Sequence, residues 1–241
     1  MHEIWIYLLF FLVAFFYSSI GHGGASGYLA VMALLNFTPA VMKPTSLLLN
    51  TLVSFIAFVS FYRAGHFKSK LLWPLIAASI PFAFLGSILP VSELIYKKLL
   101  GVVLLISILR LLYQNAEKPV VKNPKWYVLY IIGALIGLVS GMIGMGGGIL
   151  LAPVLLLMSW ATQKQTAAIC AIFIFLNSIS GMVGQLKTGF PLSTQIISII
   201  VIVLAGGWLG AYIGSKKLNE KGMKYMLAIV LIMASIKLLL V

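Results

Sequence analysis

Two glycine clusters, Ile20-Gly21-His22-Gly23-Gly24-Ala25 and Ile143-Gly144-Met145-Gly146-Gly147-Gly148, interrupt apolar runs long enough to enter a lipid bilayer. The second cluster begins 123 positions after the first. A glycine-rich break leaves backbone N–H and C=O groups without helical partners. At hydrocarbon depth such groups are tolerated only where protein or a water-filled cavity satisfies them. Two matched breaks in one chain therefore predict a membrane protein with its binding site between two structural repeats.

The rest of the chain agrees. Of 241 residues, 62% are hydrophobic and 9% are charged, against about 25% charged in an ordinary soluble domain. Apolar runs fall at 4–36, 44–64, 71–90, 96–113, 126–160, 165–187, 192–214 and 223–240. The first and fifth exceed the roughly 20 residues that one span needs, and these two carry the glycine breaks. The first run is read as a membrane segment rather than a cleaved leader, because His2 and Glu3 replace the basic leader start. The predicted class is an all-α integral membrane protein of two homologous four-segment repeats. Residues 1–117 form one repeat, 118–124 a linker and 125–241 the other. Further matches tie the halves together: Leu49-Asn50-Thr51 with Leu176-Asn177-Ser178, Leu85-Gly86 with Leu209-Gly210, and Arg110-Leu111-Leu112 with Lys237-Leu238-Leu239.

Charge bears on orientation. The net charge is +13, and the basic residues lie mainly between apolar runs, where they set topology; nucleic acid is not an expected partner. If segments 1 and 5 are re-entrant hairpins, each repeat crosses three times and the repeats are inverted. The 17 basic residues then split twelve to five. The poorer face keeps Lys43, Lys97, Lys98, Lys187 and Lys237, and the richer face should be cytoplasmic. If segments 1 and 5 are instead single broken helices, the repeats are parallel and the split is nine to eight. Lengths favour the hairpins: 126–140 and 149–159 rise only about 22 and 16 Å at 1.5 Å per residue, less than the hydrocarbon core.

Three sets of residues are candidate substrate ligands. The first is Gly21, Gly23 and Gly24 with Gly144, Gly146, Gly147 and Gly148. A helix N-terminus following such a loop offers amide donors and a positive dipole end to an anion. Close helix packing is the alternative use of the same small residues. The second set is Asn50 and Asn177, buried amides at matched places, with Thr51, Ser178 and Gln185 near them; interhelical hydrogen bonding is the alternative role. The third is His22, the one titratable side chain in either loop, as a ligand, a proton-coupling group or a backbone-bonded tip residue. The lone Cys170 excludes an intramolecular disulfide and is read as packing.

The acidic residues, Glu3, Glu93, Glu117 and Glu220, all fall at run ends or in connections. Carboxylate-based cation transport needs one within the membrane. No phosphate-binding loop, paired metal-ligand spacing or nucleophile cluster occurs. The chain is thus expected to be no enzyme and to need no cofactor or metal.

At these residues the chain resembles the TauE/SafE family of membrane permeases. The paired loops carry the likeness, supported by Pro44-Thr45-Ser46 with Asn50, by Gly65, and by Leu85-Gly86 with its copy Leu209-Gly210. His22 and Ala25 depart from a purely glycine-rich first loop. The resemblance implies passage of a small anion, such as sulfite or a sulfonate, across the cytoplasmic membrane of a prokaryote. The expected function is secondary transport of such an anion. An anion channel and a membrane-embedded scaffold for a partner enzyme are the alternatives. The expected partners are the anion and the bilayer, and the sequence leaves homo-oligomerisation open.

Overall fold

A computed structural model describes residues 2–113, 124–186, 194–216, 232, 235 and 236. Every element among them is helical: α1 (His2–Ser19), α2 (Ala25–Leu34), α3 (Pro39–Arg63), α4 (Ser69–Ile88), α5 (Glu93–Tyr113), α6 (Trp126–Ile143), α7 (Gly148–Leu157), α8 (Gln163–Gln185) and α9 (Thr194–Lys216). Five stretches are long and apolar enough to cross a bilayer: Pro39–Arg63, Ser69–Ile88, Trp126–Ile143, Lys164–Gln185 and Ile196–Ser215. The linker apart from Pro124 and the eighth apolar run apart from residues 232, 235 and 236 lie outside the described residues, as do Lys187, Lys237 and the side chain of Arg110.

Each long run is two helices. The first run becomes α1 and α2, and the fifth becomes α6 and α7. Glycine causes both breaks. Gly21, at φ 76°, ends α1 in a left-handed turn. Its N–H bonds Ser18 O at 3.0 Å, and His22 N–H bonds Tyr17 O at 2.8 Å, the paired closure of a glycine-capped helix. Gly144, at φ 86°, closes α6 in the same way, with the Gly144 and Met145 amides both on Ser140 O. Left-handed Gly24 and Gly147 then precede α2 and α7. From its loop α2 runs back along α1: Ser26 Oγ donates to Tyr17 Oη at 2.8 Å, Gly27 lies on Val13, and the Tyr28 ring stacks on Phe10.

Two glycine stripes set the closest helix contacts. Gly133, Gly137 and Gly141 of α6 face the backbone of Leu75, Ser79 and Ala83 on α4. Gly206, Gly210 and Gly214 of α9 face the backbone of Phe11, Phe15 and Ser19 on α1. A Cβ at any of the six would meet a carbonyl, so these helices approach as closely as backbones allow. α3 packs on α8 at the centre, flanked by α4 on α8 and α9 on α3. Exchanging the halves turns α1–α9 into α6–α4 and maps α3–α8 onto itself.

The structure corrects two register readings. α3 begins at Pro39, after Thr38, rather than at residue 44. Lys43, placed by sequence among loop residues, therefore lies inside the helix and is buried. α8 begins after Thr162, so its start matches that of α3 at an offset of 124. At that offset the residue opposite Asn50 is Ile174, not Asn177. The Leu-Asn match is shifted by three residues, close to one helical turn, which preserves the helix face and so resembles a true alignment.

Candidate functional site: the meeting of the two glycine loops

Asn50 stands in the middle of α3 and is fully buried. Its Oδ1 accepts from Ala25 N–H at 3.2 Å, directly after the first glycine loop. Its Nδ2 donates to Met145 O at 3.2 Å, inside the second loop, and to Ser178 Oγ of α8 at 2.9 Å. One side chain thus links both loops and both halves of the chain. An amide nitrogen has two hydrogens, and both are engaged. The loops close on this amide from two sides. A Cβ at Gly23 would collide with Asn50 Oδ1, and one at Gly146 would lie 2.5 Å from Asn50 Nδ2 and 2.6 Å from Ser178 Oγ. Only glycine permits that approach, and Gly146 also holds φ 67°.

Beside Asn50 is a small cavity of about 10 Å³, lined by Tyr17, His22, Gly23, Gly24, Ala25, Ser26, Asn50, Met145, Ile149 and Ile174. It offers room for about one water. Two helix N-termini, of α2 and α7, reach this region, and the first-turn amides of a helix lack intrahelical partners. No carboxylate lines the cavity. His22 is buried, and its Nδ1 donates to Ile20 O at 3.0 Å, which fixes the ring at the loop tip.

The family model described as "Sulfite exporter TauE/SafE" matches residues 6–238. The chain belongs to the TauE/SafE family. It is accordingly a multi-pass membrane transporter rather than an enzyme. Among curated relatives, "Probable membrane transporter protein y4hK" of Sinorhizobium fredii (strain NBRC 101917 / NGR234) is 35% identical over 237 residues, covering 96% of each chain. "Probable membrane transporter protein YunE" of Bacillus subtilis (strain 168) is 26% identical, covering 84% of this chain and 81% of its own. "Probable membrane transporter protein YdhB" of the same organism is 28% identical, covering 89% of each. No solved structure gives a significant match.

The remaining expected site residues of this TauE/SafE chain divide clearly. His22, Gly23, Gly24 and Asn50 line the cavity, and Gly146 and Ser178 touch Asn50 from behind. Gly21 instead packs on Ala167, Gly147 on Ile136 and Phe173, and Gly148 on Ile174. Asn177 does not line the cavity: its Nδ2 bonds Phe173 O on its own helix at 2.8 Å, and its Oδ1 is buried without a partner. Thr51 Oγ1 bonds Leu47 O, and Gln185 Nε2 reaches Ser87 O at the end of α4. Among the described residues no group of three or more His, Cys, Asp or Glu could hold a metal.

Sequence reading missed Ser46, Tyr17, Ser26 and Lys43. Ser46 Oγ donates to Gly144 O at 2.9 Å, and Lys43 packs on Gly144. The signal was present, because Lys43, Ser46 and Asn50 are spaced i, i+3, i+7, one face of a helix. The run boundary at residue 44 hid it.

Proposed function

We propose that this transporter moves a small oxidised-sulfur anion, such as sulfite or a sulfonate, across the cytoplasmic membrane by alternating access between two inverted repeats. The observation that carries the reading is the convergence of both glycine loops on one cavity that has helix N-termini and no carboxylate in its lining. Amide donors and positive dipole ends suit an anion and disfavour a cation. The family description, sulfite exporter, supports oxidised sulfur as the class. Transport by alternating access, rather than through an open channel, is supported by the size of the cavity. It holds about one water, less than an oxyanion occupies. Substrate entry then requires the loops to part around Asn50.

Inversion is supported by the way α2 turns back along α1, as a re-entrant hairpin does. It predicts that the N-terminus and the α2–α3 connection share the external face. Single cysteines replacing His2 and Asn36, in a Cys170→Ser background, should react from the same side with an impermeant maleimide in oriented vesicles. Opposite-side labelling would require α1 and α2 together to cross the membrane once and would remove the inversion.

Substrate class is tested by a thermal-shift panel of sulfite, sulfate, thiosulfate, methanesulfonate and chloride on the purified chain. A ligand that binds only the folded state and is present at 100 times its Kd adds about 2.7 kcal/mol. Sulfite or methanesulfonate should raise the melting temperature, with matching uptake into proteoliposomes. Equal stabilisation by every anion, or by none, would defeat the oxidised-sulfur reading.

A further inference from the structure

Lys43 lies in the first turns of α3, 8% exposed, where burial of a cation is costly unless a counter-charge accompanies it. Its ammonium donates to Ser87 O at 2.7 Å. No carboxylate pairs with it among the described residues. Ser87 lies in the last turn of α4, so its carbonyl belongs to the negative end of that helix. Such an end carries about half an elementary charge, which leaves the ammonium incompletely neutralised. Two of its three N–H donors lie beyond the Ser87 bond. Gln185 Nε2 also donates to Ser87 O, so an amide stands beside the ammonium at the junction of α3, α4 and α8.

The position relates this charge to the transport site. Lys43, Ser46 and Asn50 lie on one face of α3, and each meets the second glycine loop. Lys43 packs on Gly144, Ser46 Oγ donates to Gly144 O, and Asn50 Nδ2 donates to Met145 O. Seven residues at 1.5 Å each put Lys43 about 10 Å along the helix from Asn50. The matched place in the other half is uncharged: Gly21 packs on Ala167 as Gly144 packs on Lys43. The positive charge therefore serves one end of the path only.

We propose that Lys43, with Gln185 beside it, forms a binding station for a small oxyanion at the α3–α4–α8 junction, on the opposite side of the second glycine loop from the Asn50 cavity. The station rests on the anion-transport reading. The anion supplies the charge that the buried ammonium lacks, and the loop between station and cavity is the gate it must pass. Gln185, expected from sequence to belong with Asn177, belongs to this station instead.

The test is titration of the purified full-length chain with sulfite and with methanesulfonate, by calorimetry, in wild type, Lys43→Gln and Lys43→Arg. Gln can still donate to Ser87 O but carries no charge. Its affinity should fall about ten- to a hundredfold, the range for losing a charge-assisted hydrogen bond. Lys43→Arg keeps the charge and should recover part of that loss. Wild-type affinity in Lys43→Gln would overturn the station while leaving anion transport standing. A wild type that binds neither anion would overturn both. Should Lys43→Gln fail to fold, wild type alone decides. Saturating sulfite or methanesulfonate should slow acetylation of Lys43 at least severalfold, read by peptide mass spectrometry, and leave Lys68 unchanged. Equal acetylation of Lys43 with and without the anion would overturn the station.

Discussion

Gly146→Ala should abolish transport and strip the protein of about 2–5 kcal/mol of stability. Two costs add. An L-residue in the left-handed region loses about 1–2 kcal/mol, and Gly146 sits at φ 67°. Overpacking a filled interior costs about 1–3 kcal/mol more, and here the new methyl meets Asn50 Nδ2 and Ser178 Oγ, the central hydrogen bond between the halves. The control is Gly65→Ala. Gly65 has φ 78°, and nothing lies within 4 Å of an added Cβ, so it isolates the backbone term. Melting temperatures of both variants in one detergent, with flux in proteoliposomes, separate the two costs. If Gly146→Ala behaves like Gly65→Ala, the loops do not press on Asn50, and the site as described is wrong. The contact also shows why valine at Gly23 or Gly146 cannot isolate ligand binding. Either side chain would displace Asn50 before any anion was involved.

The extent to which the site was legible in the chain follows from what each signal depends on. Helix class and the two breaks depend on local chemistry, apolar length and left-handed glycine, and both were readable. The closest helix contacts were readable in principle, since Gly133, Gly137, Gly141 and Gly206, Gly210, Gly214 recur every four residues on apolar helices. That spacing alone does not say which partner each stripe meets. Asn50 was legible as a buried amide that needs partners. What it bonds was not, because Ala25, Met145 and Ser178 lie 25, 95 and 128 residues away and meet only through packing. The pairing of Asn50 with Asn177 rests on matching residue types along one dimension. Helix starts after Thr38 and Thr162 set the register in space, and they place Ile174 opposite Asn50. Lys43 misleads in the sequence because a charge ordinarily marks the end of a membrane segment. Pro39 at the first turn starts α3 earlier than the hydrophobic run does, which carries the lysine inside.

The two asparagines should therefore respond very differently to the same substitution. Asn50→Leu removes three hydrogen bonds and leaves the Ala25 N–H donor and the Met145 O and Ser178 Oγ acceptors in an interior that shape alone cannot satisfy. Each stranded buried group costs about 1–3 kcal/mol, so the variant should lose about 3 kcal/mol or more. Transport should fail with it, because nothing else described holds Ala25 and Met145 to one side chain. Asn50→Asp keeps the acceptor for Ala25 N–H but turns an oxygen toward Met145 O, and it should be no better than leucine. Asn177→Leu removes one bond within its own helix and an oxygen that has no partner. Leucine keeps asparagine's branching but is bulkier, and overpacking costs about 1–3 kcal/mol; loss of an unpaired buried acceptor, itself worth about 1–3 kcal/mol, offsets that. Its melting temperature should stay close to wild type. The measurement is thermal unfolding of the three variants, each with and without sulfite. Equal destabilisation of Asn50→Leu and Asn177→Leu would mean that both amides act as interhelical ties. Unchanged stability with lost sulfite response in Asn177→Leu would return Asn177 to the substrate path, its free Oδ1 facing a protonated oxyanion that can donate to it.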